Sequence, residues 1–419
     1  MQFDKLLKQS ILILILLFPL VTASVKHSGT IIYVLLFLLS LVFGWRGWKI
    51  LLPWEKRVLT GLLIFFCLSI LSYLNTENFR EGIKHFENFI RFIAIIPIYC
   101  MVRYYTKPAT EAFILSIGIG AIILGAQAWY EVYILNYSAA DGAYHKIVLG
   151  DTAILFSAIL IAAVFTLKLK KWQIIICIVA ACAGVYASVL SLTRGAWLLV
   201  PILVPVWLWM YRHSINVKGW VVIGLVLLTS VGVGSIWQPG KIKSAFNSGM
   251  RDLQAYQKNP ALGTSWGIRL NLWRDSVTIF KEHPVLGTGI GDLSIDRQRL
   301  AKEGLANKVY LEGDQAHSIY FQALATRGMV GFIALVVFIL MLPFLLFYSH
   351  WDKVTEHAQR FYALGGVTFI TAFAVFGLSE GWLTRNPFVN LYAMFFIVFA
   401  SGLMSSINHK TQSSFPADG

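Results

Sequence analysis

The sequence predicts an all-α integral membrane protein, with about twelve transmembrane helices and one large extracytoplasmic loop that contains helix of its own. Three observations carry this. Of 419 residues, 57% are hydrophobic and only 13% charged, against about 25% charged in soluble domains. Apolar runs, most of about 15 to 22 residues, recur along the chain, close to the roughly 20 residues that cross a bilayer as a helix. The runs are continuously apolar rather than alternating, which excludes a closed β-barrel.

In chain order the runs fall at 9–25, 30–45, 58–74, 88–102, 112–130, 147–167, 172–192, 196–211, 219–237, 318–347, 360–379 and 387–407. The first follows Lys5 and Lys8 and ends in PLVTAS. That is the outline of a secretory signal, read here as a retained first span. Cys67, Cys100, Cys177 and Cys182 all lie within apolar runs and no pair has metal-site spacing. They carry no information about redox compartment.

The net charge of +14 first suggests nucleic acid, but its distribution argues for a membrane. With the N-terminus inside, inner loops and termini hold 16 Lys and Arg. The short outer loops hold 6: Lys26, Arg80, Lys84, Lys146, Arg194 and Arg385. Positive charge concentrates on the cytoplasmic side of membrane proteins, so both termini are expected there. The chain divides into a membrane region of nine helices (1–237), a large outer loop (238–317), a membrane region of three helices (318–407) and a cytoplasmic tail (408–419). The loop holds 11 basic and 8 acidic residues, and loops this long are commonly functional. The loop is expected to contain helices, one of them Ile268 to Glu282, with Leu270, Trp273, Val277 and Phe280 as an apolar stripe lying on the membrane surface. HPVLGTGIGDL then breaks that helix.

Few residues offer chemistry. Asp314 has the character of an N-cap, which predicts His317 at the third position of the following helix. The positive end of a helix disfavours a charged imidazole, and a neutral imidazole can accept a proton. The plain alternative is a histidine bonding backbone at a helix entrance. Arg194, in LSLTRGAW, sits between two apolar runs with almost no loop. It is either an interfacial anchor or an anion ligand. Arg269 opens the loop helix and could reach a ligand at the membrane surface. Arg274 lies five positions on, about 140° around the helix, so the two need not share a target. Arg91 and Asp151, inside or at the edge of apolar runs, are weaker candidates for binding pyrophosphate or sugar. Glu380 and Arg385 flank the last outer turn and can pair with each other. GTGIG (Gly287 to Gly291) follows a proline rather than a strand, so it is a turn and no nucleotide site. No carboxylate or histidine cluster has metal spacing. Arginine binds phosphate bidentately and keeps its charge. Two arginines and one possible base on one face therefore suggest a pyrophosphate lipid held beside an activated hydroxyl.

LTRGAW after a central helix, then WGIRLNLWRDSVTIFKEHPVLGTGIGDL, then AHSIYFQALATRGMVGF occur in an order that resembles the O-antigen ligase and polymerase superfamily of bacterial envelope glycosyltransferases. The resemblance is strongest over about Ser188–Phe332, and within the superfamily it is closest to the ligases. It implies a metal-independent, inverting transfer of O-antigen from undecaprenyl pyrophosphate to a sugar hydroxyl of lipid A–core oligosaccharide. The reaction would take place at the periplasmic face of the inner membrane, with no cofactor and no nucleotide. By the same resemblance Arg194 and Arg269 hold the pyrophosphate, and His317 orients or deprotonates the acceptor hydroxyl. Polymerases use the same donor but tend to have two sizeable outer loops, and this chain has one. Ligases that glycosylate protein usually carry a longer C-terminal extension. A lipid or solute transporter would spread polar residues along several helices near the midplane and show internal pseudo-symmetry.

Overall fold

A computed structural model of the chain describes residues 2–107, 109–212, 239–259, 263–308, 311, 313 and 315–412. The first membrane region comprises α1 (Gln2–Val21), α2 (Ser28–Phe43), α3 (Pro53–Leu71), α4 (Phe79–Tyr105), α5 (Thr110–Trp129), α6 (Lys146–Thr166) and α7 (Lys171–Leu190). The short α8 (Arg194–Trp197) and α9 (Leu199–Tyr211) follow. The long loop holds α10 (Pro239–Lys258), α11 (Ser265–Glu282) and α12 (Leu293–Lys302). The last region holds α13 (Ile319–Ala334), α14 (Leu342–Trp351), α15 (His357–Ser379) and α16 (Asn386–Gln412). Among the described residues, ten helical stretches are long and apolar enough to cross a membrane, α13 and α14 forming one of them through Leu335–Met341. The protein is an all-α, multi-pass membrane protein. The expected span at 219–237 lies outside the described residues. α1 is helical as expected, with Asp4, Lys5 and Lys8 in its first turns, and it buries Ile11 and Phe18 in the main core.

The centre of the bundle is α6, α15 and α16, each buried along most of its length. Phe369, Phe373, Tyr392, Phe395 and Phe399 interlock there. α2, α7 and α9 keep more of their apolar surface outward, as lipid-facing helices do. One deep pair of charges lies within the bundle: Arg103 Nε donates to Glu55 Oε1 at 2.9 Å, and its Nη2 donates to the Met404 carbonyl at 2.9 Å.

The loop is built into the bundle. Gly328 interrupts α13 with φ 60° and ψ −161°, a conformation available essentially to glycine alone. At that break the segment from Pro284 to Gly289 supplies the missing partners. Thr288 and Gly289 donate to the carbonyls of Ala325 and Thr326, at 3.2 and 3.1 Å, while Met329 and Val330 donate to Pro284 and Val285, at 2.8 and 3.2 Å. Backbone groups that the helix releases are thereby satisfied. GTGIG is a turn, with positive φ at Gly287, Gly289 and Gly291. Asp292 anchors it by accepting from the backbone of Glu77 and Asn78, at 2.8 and 2.7 Å.

The loop contains helices, as expected, three of them among the described residues. One expectation for it needs correction. The buried face of α11 is Asn271, Leu272, Asp275, Ser276 and Ile279, not the stripe of Leu270, Trp273, Val277 and Phe280. The reason is tertiary: α11 packs against α12 and α13 instead of lying on lipid, and Ile279, Leu293, Leu300, Ala316 and Ala325 form a second small core. At its edge Arg297, fully buried, donates from Nε to Asp275 Oδ2 at 2.9 Å. Breaking such a pair strands one charge and costs about 3–5 kcal/mol. Arg297→Ala is therefore expected to loosen the loop selectively. Limited proteolysis should cleave around 283–305 far faster than in the wild type, and an unchanged cleavage rate would show the pair to be dispensable.

Candidate active site

The turn LSLTRGAW joins α7 to α8 at the loop end of the bundle. Leu192 adopts φ 54°, which reverses the chain within two residues. Ser191 Oγ donates to the Ser188 carbonyl and to Thr193 Oγ1, at 2.7 and 2.9 Å, and Thr193 Oγ1 donates to the Lys146 carbonyl at 2.9 Å. The turn is thus tied to the start of α6. Gly195 then lets α8 approach the end of α15, since a Cβ there would fall 2.2 Å from Ser379 Oγ. Arg194 is placed beside the loop that follows α15. Its guanidinium meets α10, through Nη1 to Ser248 Oγ at 3.3 Å and Nη2 to Asp252 Oδ2 at 4.0 Å.

His317 does not stand in the helix. α13 begins at Ile319 with Ser318 as its N-cap residue, and Asp314 lies outside the described residues. His317 precedes the cap, with φ 48°. The strained backbone is held on three sides. Ala316 N–H donates to Gln322 Oε1 at 2.7 Å, Trp273 Nε1 donates to the Ala316 carbonyl at 3.1 Å, and Ser318 Oγ donates to the Gly377 carbonyl at 3.0 Å. Trp273 also stacks on Phe321, with ring centroids 5.0 Å apart. The expected position inside the helix failed because the backbone turn at His317 moves the cap four residues beyond Asp314.

What the fold brings to His317 is Glu380. Its Oε2 lies 3.7 Å from His317 Nδ1, and Oε1 accepts from Arg385 Nε. The carboxylate is fully buried. Burial alone pushes it up, but His317 and Arg385 outweigh that and hold Glu380 below the ordinary carboxylate value. His145, the N-cap residue of α6, feels the same pair. Burial pushes it down, and Arg385 adds to that.

Arg269 completes the cluster from α11, where Thr264 caps the helix by accepting from Gly267 N at 3.1 Å. Its Nη1 donates to Ser265 Oγ at 3.1 Å, while its Nε is buried with no hydrogen-bond partner among the described residues. Burial pushes its guanidinium down, as does the charge of Arg194, against the pull of Glu380 and Asp151. Asp151, on α6 and 2% exposed, lies within the fields of Glu380, Arg269 and Arg385.

The structure therefore sets His317 against Glu380 and places Arg269 within electrostatic reach of Arg194, Glu380 and Asp151. It leaves Arg274 exposed on α11, where it acts on Asp275. Arg91 is occupied inside the bundle. It donates to Asn390 Oδ1 at 2.8 Å and pairs with Glu87 one turn earlier. Its carbonyl accepts from Tyr33 at 2.6 Å. Glu380, the group nearest His317, was legible only as a flank of the last outer turn. Its one signal was an acidic residue in SEGWLTRNP, against a helix end that holds few charges.

Two separate guanidinium groups within electrostatic reach of each other, with an imidazole–carboxylate pair nearby, can hold a polyanion and withdraw a proton beside it. Residues 179–336 match a family model described as O-antigen ligase, a stretch that contains Arg194, Arg269 and His317. An uncharacterized protein of Haemophilus influenzae is 26% identical over 337 residues, covering 79% of this chain and 82% of its own length. The family match, together with the membrane-spanning helices, supports an enzyme of the ligase and polymerase type: a membrane glycosyltransferase acting on lipid-linked polysaccharide.

Proposed function

Because residues 179–336 match a family model described as O-antigen ligase, we propose that the chain is the ligase that moves O-antigen from undecaprenyl pyrophosphate to a sugar hydroxyl of lipid A–core oligosaccharide. The observation that carries this reading is that buried Glu380 faces His317 and acts on Arg269, which in turn feels the charge of Arg194, although the three residues come from distant segments. The bias of Lys and Arg toward the opposite loops supports a periplasmic site in the inner membrane, with both termini cytoplasmic.

Arg194 and Arg269 bind the pyrophosphate of the donor. The acceptor hydroxyl oxygen attacks the anomeric carbon from the side opposite the pyrophosphate, which inverts the configuration. The new carbon–oxygen bond forms as the bond to the phosphate oxygen breaks, and undecaprenyl pyrophosphate leaves with the electron pair. Its growing charge falls between two fixed cations, the arrangement that most lowers such barriers. The acceptor proton passes to His317. Glu380 faces Nδ1, so Nε2 is the nitrogen that meets the hydroxyl, and the carboxylate stabilises the imidazolium that forms. Energy comes from the lipid pyrophosphate bond, so neither nucleotide nor metal enters the scheme.

The banding pattern of lipopolysaccharide from a strain lacking this chain tests the assignment. A ligase attaches finished chains, so its loss leaves bare lipid A–core with long O-antigen accumulating on undecaprenyl pyrophosphate. Core capped by a single repeat unit would instead identify a polymerase and would overturn the ligase reading.

A further inference from the structure

Arg327 is a cation that the fold buries without a carboxylate. It lies on α13 immediately before the break at Gly328 and is 3% exposed. Gly331 makes room for its stem, since a Cβ there would fall 2.2 Å from Arg327 Cβ. Among the described residues its guanidinium meets Ser69 Oγ, from Nη1 at 3.4 Å, and the rings of Phe65 and Phe89, 5.7 and 5.3 Å from their centroids. Nε and Nη2 have no hydrogen-bond partner among the described residues, yet neither is sealed from open space. Aromatic rings offset part of the cost of burying a cation. A charge inside a membrane bundle otherwise finds an opposite charge or marks a functional site.

Arg327 lines a cavity of about 350 Å³, counting its mouth, between α4, the start of α13, Ile290 and the turn that follows α15. His85, Gln322, Thr326, Gly381 and Thr384 line it too, and none of the lining residues is acidic. The two hydroxyls already donate to backbone, Thr326 to the Gln322 carbonyl and Thr384 to the Gly381 carbonyl, each at 2.7 Å. Arg327 therefore brings the one permanent charge among the lining residues. Two walls adjoin the candidate active site. Gly381 follows Glu380 in the chain, and Gln322 Oε1 accepts from the N–H of Ala316, the residue before His317, at 2.7 Å.

Nε and Nη2 form one edge of the guanidinium plane, the edge that grips an oxyanion with two parallel hydrogen bonds. In a membrane the common oxyanion is phosphate, free or on a lipid headgroup, and basic pockets between membrane helices bind such headgroups. We propose that this cavity is a second anion site, in which Arg327 binds a single phosphate group that supplies the missing opposite charge. The site is separate from the pyrophosphate arginines in the elements that build it. Arg327 stands on α13 against Phe65 of α3 and Phe89 of α4, whereas Arg194 and Arg269 stand on α8 and α11. The inference stands whether or not the chain is a ligase.

The test is thermal unfolding of the purified full-length protein in neutral detergent. Arg194→Ala and Arg269→Ala are combined as the background, so that phosphate at the proposed donor site does not contribute. Sodium phosphate is titrated against sodium chloride at matched ionic strength, and short-chain phosphatidic acid against diacylglycerol of the same chain length. A ligand that binds only the folded protein raises the melting midpoint with its concentration. The midpoint should rise with at least one of the two phosphate probes. Arg327→Met, which keeps the stem without the charge, should weaken that apparent affinity by about 10-fold or more, and Arg327→Lys should fall between. Protection by inorganic phosphate identifies a free anion, and protection by phosphatidic acid alone identifies a lipid headgroup; either supports the site. If Arg327→Met does not fold, Gly381→Leu supplies the measurement. A Cβ at Gly381 meets nothing closer than Thr384 Oγ1 at 3.5 Å, so the larger side chain is accommodated, narrows the cavity and should abolish the response. No response to either probe, or a response that survives loss of the Arg327 charge or the narrowing of the cavity, overturns the proposal.

Discussion

Arg269→Ala is expected to lower glycosyl transfer by about 10³-fold or more, and Arg194→Ala by a similar factor, while both proteins still accumulate in the membrane. Removing one fixed donor to a developing oxyanion commonly costs 10²–10³-fold, and here a full charge is lost from a desolvated site. Arg269 holds no carboxylate in an ion pair among the described residues, and its one direct side-chain partner is Ser265. Its loss therefore removes little from folding, and α11 keeps its Thr264 cap and its buried face. The measurement is transfer from lipid-linked O-antigen to lipid A–core by purified protein, read beside membrane abundance. The donor KM should rise together with the fall in kcat, since the pyrophosphate is bound before it leaves. An Arg269→Ala protein that ligates at the wild-type rate would show the charge to be part of the scaffold and not of the chemistry.

Substitution at the His317–Glu380 pair should strike kcat and spare the donor KM. His317→Ala is expected to cost about 10²–10⁴-fold, the usual range for a positioned general base, and Glu380→Gln should cost a substantial part of the same factor. The pH dependence distinguishes the two. Glu380 is held below its ordinary value of 4.5 despite a burial that opposes this, because His317 and Arg385 favour its ionised form. A depressed carboxyl contributes its stabilisation above the ordinary value and loses it as the pH falls through the depressed one. In the wild type, thermal stability attributable to this carboxylate should therefore persist down to the ordinary carboxylate range and drop only below it. In Glu380→Gln that acid-side drop should vanish, because the amide does not titrate. If the variant matched the wild type in both rate and acid sensitivity, Glu380 would be a bystander to His317.

The sequence by itself determined the fold class, the approximate positions of the spans and a short set of polar residues worth attention. These properties are local. A run of some twenty apolar residues in lipid has to close its own backbone hydrogen bonds, and the helix is the structure that does so within one segment. Lys and Arg asymmetry is likewise a count along the chain. The order of LTRGAW, RLNLW and the segment around His317 was also legible, since each motif stands out against apolar surroundings.

Tertiary structure decided what those residues face. Asp314 looked like a cap, yet the helix begins after Ser318, because Trp273, Gln322 and the Gly377 carbonyl pin the preceding strip from three other parts of the chain. The apolar stripe chosen for α11 followed hydrophobicity. The face it actually buries carries Asn271, Asp275 and Ser276, with Arg297 opposite supplying the compensating charge. Arg91 stood as a weaker candidate than Arg269, and the structure shows its guanidinium taken up by Asn390, nearly three hundred residues away. The meeting of Glu380 with His317 is decided the same way. Gly195 and Gly377 let α8 and the start of α13 close on the end of α15, and no spacing along the chain encodes that approach. A side chain's chemistry depends on the charges and carbonyls within a few ångströms of it, and in a bundle of long helices those neighbours come from segments far apart in sequence.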